Sequence, residues 1–153
     1  GETKAVTSSD EVLNSLKQVL GLNSGISLSY TQTVSGQRYP NEQYSVSVPA
    51  NNSCVVVALE FELTNTTSSD ITLNTASSNA VIKLGIEGTT FTKSKTILKN
   101  DITNLKSVTI PAGQSYTAAA VFQIPEIFAQ SLENTTLTVG SANAILGTME
   151  LKK

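Results

Sequence analysis

The chain has no histidine and no tryptophan, and only one cysteine, one methionine and one arginine, Arg38. Each absence excludes something. Histidine is the commonest general base and metal ligand, so the simplest routes to acid–base and metal chemistry are missing. Tryptophan would be the best platform for stacking on a sugar ring. A single cysteine allows no internal disulfide. Charged residues make up 14% of the chain, against about 25% in an average soluble protein. The net charge is -2, and the many cooperating cations that hold a phosphate backbone are lacking, so no nucleic-acid partner is expected. No apolar run approaches the ~18 residues of a membrane span. No signal peptide is present either, and the chain opens Gly1-Glu2-Thr3 without a methionine. The expectation is that an export segment has been cut away ahead of Gly1.

Ser, Thr and Asn take the place of the missing charge and supply a third of the 153 residues. Such a surface is common on β-rich proteins that work outside the cell. The length corresponds to one domain, able to bury a core without disulfide or metal staples.

The densest apolar pattern lies in Cys54-Val55-Val56-Val57-Ala58-Leu59-Glu60-Phe61-Glu62-Leu63-Thr64. Val55, Val57, Leu59, Phe61 and Leu63 share one face of an extended chain, and Val56, Ala58, Glu60, Glu62 and Thr64 share the other. Alternation with period 2 in β-branched and aromatic residues predicts a central strand with one face in a core. The other face is expected to be solvated. Tyr116, Ala118, Ala120, Phe122 and Ile124 repeat the pattern and predict a second core strand, facing the first across a sandwich.

The remaining elements follow in order. Ser8 and Glu11 have capping-box spacing, Val12, Leu13, Leu16, Val19 and Leu20 form one helical face, and Gly21 is a stop, which predicts a short amphipathic helix over 9–20. Its stripe is expected to pack on the sandwich; the alternative is a partner-binding helix. Strands are predicted over 26–35 and over 44–48 up to Pro49, with 37–41 as a loop because Pro40 cannot donate to a ladder. A short return strand holds Ile71 and Leu73. Residues 80–92 form a hairpin around Glu87-Gly88, and 93–107 a long loop. Ile110-Pro111-Ala112-Gly113-Gln114 is a tight turn, Ile127, Phe128 and Leu132 mark a helical turn, and two closing strands meet near 140–143. The reading is an all-β, immunoglobulin-like antiparallel β-sandwich with a short N-terminal amphipathic helix. Residues 1–24 are its tail and packed helix, and 25–153 the sandwich.

Two stretches carry a family resemblance. One is Val55-Val56-Val57-Ala58-Leu59-Glu60-Phe61-Glu62-Leu63-Thr64-Asn65-Thr66-Thr67, followed by Asp70-Ile71-Thr72-Leu73. The other is Ile110-Pro111-Ala112-Gly113-Gln114-Ser115 with Ala120-Val121-Phe122-Gln123-Ile124-Pro125-Glu126. Together they resemble the telokin-like, immunoglobulin-fold domain of secreted proteins and lipoproteins of Gram-positive bacteria, over about residues 25–151. The resemblance implies an exported β-sandwich, often tethered through an N-terminal lipidated cysteine, and it brings no catalytic residues. Position 1 here is glycine, so a lipid anchor would lie upstream of it or be lacking.

Candidate chemistry is sparse. Cys54 has no histidine to activate it and reads as an inert, half-buried thiol. Glu60 and Glu62 point the same way from one strand, about 6–7 Å apart from the strand rise. Glycosidases use carboxylate pairs at such distances, but a pair on one solvated strand reads as solubilising surface. A calcium site from Asp70, Asp101 or Glu87 would need oxygens converging from scattered loops, and no clustered motif supports one. Asn51, Asn65 and Asn134 each open a glycosylation sequon, matches expected by chance in a chain this rich in Asn and Thr. Arg38, Tyr39 and Tyr44 flank Pro40 in the one loop where arginine meets tyrosine, residues enriched in binding hot spots. The alternative there is tyrosines covering the sandwich edge. Lys93, Lys95 and Lys99 form a basic loop that either faces an anionic wall polymer or is simply solvated.

The functional expectation is a non-catalytic extracellular interaction module, held at or near the cell surface. It would bind a surface protein or cell-envelope polymer through loops at one end of the sandwich. A carbohydrate- or small-ligand-binding accessory domain is the alternative. No enzyme activity, cofactor or metal is expected.

Overall fold

The fold is that of a computed structural model, which describes residues 8–41 and 46–151. The chain opens with helix α1 (Ser9–Leu20). Ser8 caps it: its Oγ accepts from the Glu11 N–H at 3.3 Å and donates to the Glu11 carboxylate at 3.0 Å. Gly21, at φ 70°, ends it in the left-handed conformation that glycine adopts without steric cost. Val12, Leu16 and Leu20 are buried along one stripe and pack against the sandwich.

Eleven strands follow among the described residues: β1 (Ile26–Gly36), β2 (Arg38–Tyr39), β3 (Val48–Pro49), β4 (Cys54–Asn65), β5 (Ile71–Leu73), β6 (Val81–Ile86), β7 (Thr89–Thr92), β8 (Val108–Ile110), β9 (Ser115–Pro125), β10 (Thr135–Ser141) and β11 (Ala144–Leu151). One sheet has the order β1-β4-β9 and the other β11-β10-β6-β7; β2 with β3, and β5 with β8, form two small ribbons. All of these pairings are antiparallel. Helix α1 lies against β1, β10 and β11 and so covers one open side between the sheets. Glu87 and Gly88, at φ 49° and 82°, make the tight turn of the β6–β7 hairpin, where two positive φ values match the twist of the strands.

The core lies between the sheets. Val57, Leu59, Phe61 and Leu63 of β4 point into it beside Ala118, Ala120, Phe122 and Ile124 of β9. The Tyr30 ring meets Phe61 edge-on at 6.1 Å.

Four expectations are corrected here. The strand over 115–125 does not face β4 across the sandwich: it is hydrogen-bonded to β4 in the same sheet, Leu59 opposite Ala120 and Phe61 opposite Ala118. Both carry core-facing alternation, and alternation names a face without naming a partner. The predicted loop at 37–41 contains β2, which pairs with β3. Of the strand predicted over 44–48, residues 44 and 45 lie outside the described residues. The segment before Pro111 is not only a turn, since β8 pairs with β5 through Ile71 opposite Ile110.

The fourth correction concerns the second face of β4. It is not solvated along its length. Val56, Ala58, Ala119 and Val121 are buried there with Tyr39 and Leu98, and Val34, Val48 and Ala50 pack around them. This is a second, smaller core on the outside of the sheet.

Candidate functional site

Two segments cover that outer face. The first is the β2–β3 ribbon, which lays Tyr39 and Val48 on it. The second is the long stretch after β7, which crosses from one sheet to the other. The Lys93 N–H bonds the Ile82 carbonyl at 3.0 Å, and the Ser94 N–H bonds the Val121 carbonyl at 2.8 Å. Residues 100–102 then run along the outer edge of β9: Ala119 N–H to Asn100 O at 2.8 Å and Ile102 N–H to Ala119 O at 2.9 Å. The strap thereby satisfies backbone groups that an edge strand would otherwise leave open. Between its two anchor points, Thr96-Ile97-Leu98-Lys99 stands over the sheet.

A buried ion pair closes the strap at its base. Lys93 Nζ lies 2.9 Å from Asp101 Oδ1, with side-chain exposures of 7% and 2%. Asp101 also accepts from Thr96 Oγ1 at 2.8 Å and from the Thr103 N–H and hydroxyl at 3.1 Å each. The carboxylate thus ties three points of the loop together. The next stretch is held from the other side. Buried Thr75 bonds the Ile102 carbonyl and the Leu105 N–H at 2.7 and 2.9 Å, and Asn74 accepts from the Ser107 N–H at 2.8 Å.

Between the strap and the ribbon lies a groove of about 640 Å³, lined among the described residues by Tyr39, Pro40, Val46, Glu60, Ile97, Leu98, Lys99, Asn100 and Thr117. Glu60 stands where the apolar outer face of β4 gives way to polar residues. Its Oε2 accepts from the Tyr39 hydroxyl at 2.7 Å and its Oε1 from Gln32 Nε2 at 2.7 Å. A bulge between Tyr30 and Gln32 makes the second contact available. It shifts the facing of β1 by one residue, so that Gln32 and Val34 point outward beside Glu60 and Ala58. Ile97 and Val46 stand at the groove with 81% and 63% of their surface exposed. The chemistry of the groove is therefore a half-buried carboxylate held by two neutral donors, apolar flanks, and the Lys99 ammonium.

The structure sorts the predicted site residues. Tyr39 lines the groove and is nearly buried. Arg38 does not line it; it is exposed, and its guanidinium donates to Ser47 Oγ at 3.2 and 3.0 Å. Tyr44 lies outside the described residues. Lys99 lines the groove and Lys95 is exposed. Lys93 is corrected: it is no surface cation but the buried partner of Asp101. The two candidate loops, far apart in sequence, join one buried cluster through Tyr39 and Leu98. They meet on the outer face of a sheet and not at an end of the sandwich, because the small side chains of Val56, Ala58, Ala119 and Val121 let both segments lie flat there.

The sequence reading missed Leu98, Val46 and Glu60 as groove residues. The available signal was Ile97-Leu98, two large apolar residues at the tip of a polar loop. The residues weighed for calcium are engaged separately: Asp101 with Lys93, Glu87 with Ser131 at 2.8 Å, and Asp70 with the Ala112 N–H at 3.4 Å. Among the described residues, no group of three or more carboxylate or cysteine side chains is placed to hold a metal ion. Cys54 is half-buried at the start of β4. Asn65 is fully buried, so its sequon is closed to modification.

No protein-family model matches the sequence, and no curated protein is significantly similar to it. Solved structures do match in fold. An uncharacterised β-sandwich protein from Clostridium difficile 630 aligns with a TM-score of 0.55 at 12% identity, over 86% of this chain and 88% of that one. A conserved hypothetical protein from Bacillus anthracis aligns with a TM-score of 0.50 at 12% identity, over 85% and 89%. At this identity the likeness concerns the fold alone, and it agrees with the two-sheet architecture. No helix among the described residues is long and apolar enough to cross a membrane.

Proposed function

We propose that this protein is a non-catalytic extracellular interaction module of the telokin-like, immunoglobulin-fold type, which binds a surface protein or cell-envelope polymer over the groove beside Glu60. The observation that carries the reading is the groove itself. Two large apolar side chains, Ile97 and Val46, remain exposed around a carboxylate held in place by Tyr39 and Gln32. Exposed apolar surface rimmed by polar groups marks binding sites, and a pre-positioned acceptor adds direction. The Ser-, Thr- and Asn-rich composition and the family resemblance support export.

The non-catalytic part rests on the groove's contents. Among the described residues, Glu60 is the one carboxylate lining it, whereas glycoside hydrolysis uses two across a cleft. Both of its oxygens already accept hydrogen bonds, and the chain has no histidine to serve as base. The groove's volume, about 640 Å³, also favours a second reading, a carbohydrate- or small-ligand-binding accessory domain, since such sites span roughly 300–1,000 Å³.

The test is capture on the immobilised domain, from solubilised envelope proteins and from insoluble cell wall, with wild type beside three variants. Ile97→Asp should lower the retained ligand about tenfold or more, the size of a single hot-spot loss. Tyr39→Phe should weaken binding by freeing Glu60, and Arg38→Ala should leave it unchanged. Wild-type binding by Ile97→Asp would remove the groove from consideration.

A further inference from the structure

We infer that a second cleft, beyond the Ile97-Leu98 ridge and flanked by Lys99 and Lys106, binds an anionic oxygen group, a phosphate or a carboxylate. This cleft also measures about 640 Å³, and it meets the Glu60 groove at Ile97, Leu98 and Lys99. Its assignment holds whatever fills that groove.

Its chemistry is that of donors without a charged acceptor. Among the described residues, two lysines line it and no carboxylate residue does. Among the described residues, neither Lys99 nor Lys106 has a carboxylate within ion-pair distance. The carboxylate nearest in sequence, Asp101, is already committed to Lys93, Thr96 and Thr103. The neutral polar groups of the lining point the same way. The Asn104 amide, the Ser107 hydroxyl and the Tyr116 hydroxyl make no hydrogen bond among the described residues. Burial holds the Tyr116 phenol above its ordinary pKa of 10.0, and like any phenol it is a protonated donor at neutral pH.

Two cations in one cleft repel each other, and an anion between them removes that repulsion. The protein as a whole is acidic, with a net charge of -2, so this is a local concentration of positive charge and not a general property of the surface. The cleft is also preformed. The Lys93–Asp101 pair fixes the Lys99 side, and Asn74 and Thr75 fix the 102–107 side. With the loop backbone fixed, binding has only the side chains to order. Val108 supplies an apolar wall for the carbon part of the ligand.

The experiment is an NMR titration of the whole chain in low-salt buffer with inorganic phosphate, glycerol phosphate and glucuronate in separate arms. Saturable amide shifts confined to residues 96–99, 104–108 and 116 are expected, weakening as salt is added. Lys106→Gln should weaken binding about tenfold, the value of one charge-assisted hydrogen bond, and Lys99→Gln/Lys106→Gln should abolish it. Both lysines are exposed, and an unchanged amide spectrum elsewhere reports an intact fold. Tighter binding of glycerol phosphate identifies the group as phosphate, and tighter binding of glucuronate identifies it as carboxylate. Shifts that do not saturate, shifts spread over the surface, or wild-type affinity in Lys106→Gln would overturn the assignment. Lys106 does not line the Glu60 groove, so that outcome leaves the envelope-binding reading standing.

Discussion

Replacing Asp101 with alanine leaves the Lys93 ammonium buried with no counter-charge, and the Thr96 hydroxyl and Thr103 N–H without their acceptor. Breaking a buried pair from one side costs about 3–5 kcal/mol, because the surviving charge is stranded out of water. Against a total stability of about 5–15 kcal/mol for a domain of this kind, that is a large fraction. With a urea slope of about 2 kcal/mol/M, the midpoint should fall by about 2 M. The double replacement Lys93→Met/Asp101→Leu removes both charges and keeps the volume. It should therefore be at least ~2 kcal/mol more stable than Asp101→Ala alone. Urea melts followed by circular dichroism give the magnitudes. Hydrogen exchange gives the place: the Ser94, Ala119 and Ile102 amides, which join strap to sheet, should lose protection first in Asp101→Ala. A single variant within about 0.5 kcal/mol of wild type, or a double variant no better than the single, would refute the idea that this pair clasps the loop.

Phe61→Ala, at the centre of the core, should cost about 3–5 kcal/mol in the same melts. Glu60→Ala should cost about 1 kcal/mol, since it removes the carboxylate that accepts from the Tyr39 hydroxyl and the Gln32 amide; a cost under ~0.5 kcal/mol, the value for a solvated side chain, would mean those bonds hold nothing. Asn65→Ala should cost about 2–3 kcal/mol, because its buried amide donates to the Ser69 and Ile110 carbonyls and accepts from Thr67; unfolding free energies against wild type check it. Burial raises the Tyr116 phenol, so the folded state holds that proton more tightly than the unfolded state does. Its contribution is fully present below about pH 10 and lost as pH rises through the folded value. Tyr116→Phe should therefore show a smaller loss of midpoint than wild type on going to strongly alkaline pH, and parallel profiles would count against it.

Local elements were legible because their signals are local. Ser8, Glu11 and Gly21 mark the ends of α1 within one residue, since caps act on neighbouring backbone groups. Glu87-Gly88 marks the β6–β7 turn, and the inward residues of β4 and β9 are the ones their alternation names. Less legible was anything set by a partner distant in sequence. Lys93 and Asp101 look like ordinary loop charges in the chain, and only the crossing of the strap buries them together. Lys95, of the same residue type and two positions on, stays in solvent.

The amino-acid sequence by itself determined an all-β sandwich with a capped helix in front, because period-2 alternation, turn residues and caps are read over a few neighbouring positions. Tertiary structure decided the neighbours and the second face. The choice of β9 as partner of β4 depends on long-range pairing that alternation leaves open. The bulge after Tyr30 turns Gln32 toward Glu60, a one-residue shift that reverses every later side chain of β1. The outer face of β4 became a core and a groove because two segments far apart in sequence lie down on small side chains there. Which residues are covered, and which of Glu60, Ile97, Lys99 and Lys106 are left facing open space, follows from that packing and from no short stretch of the chain.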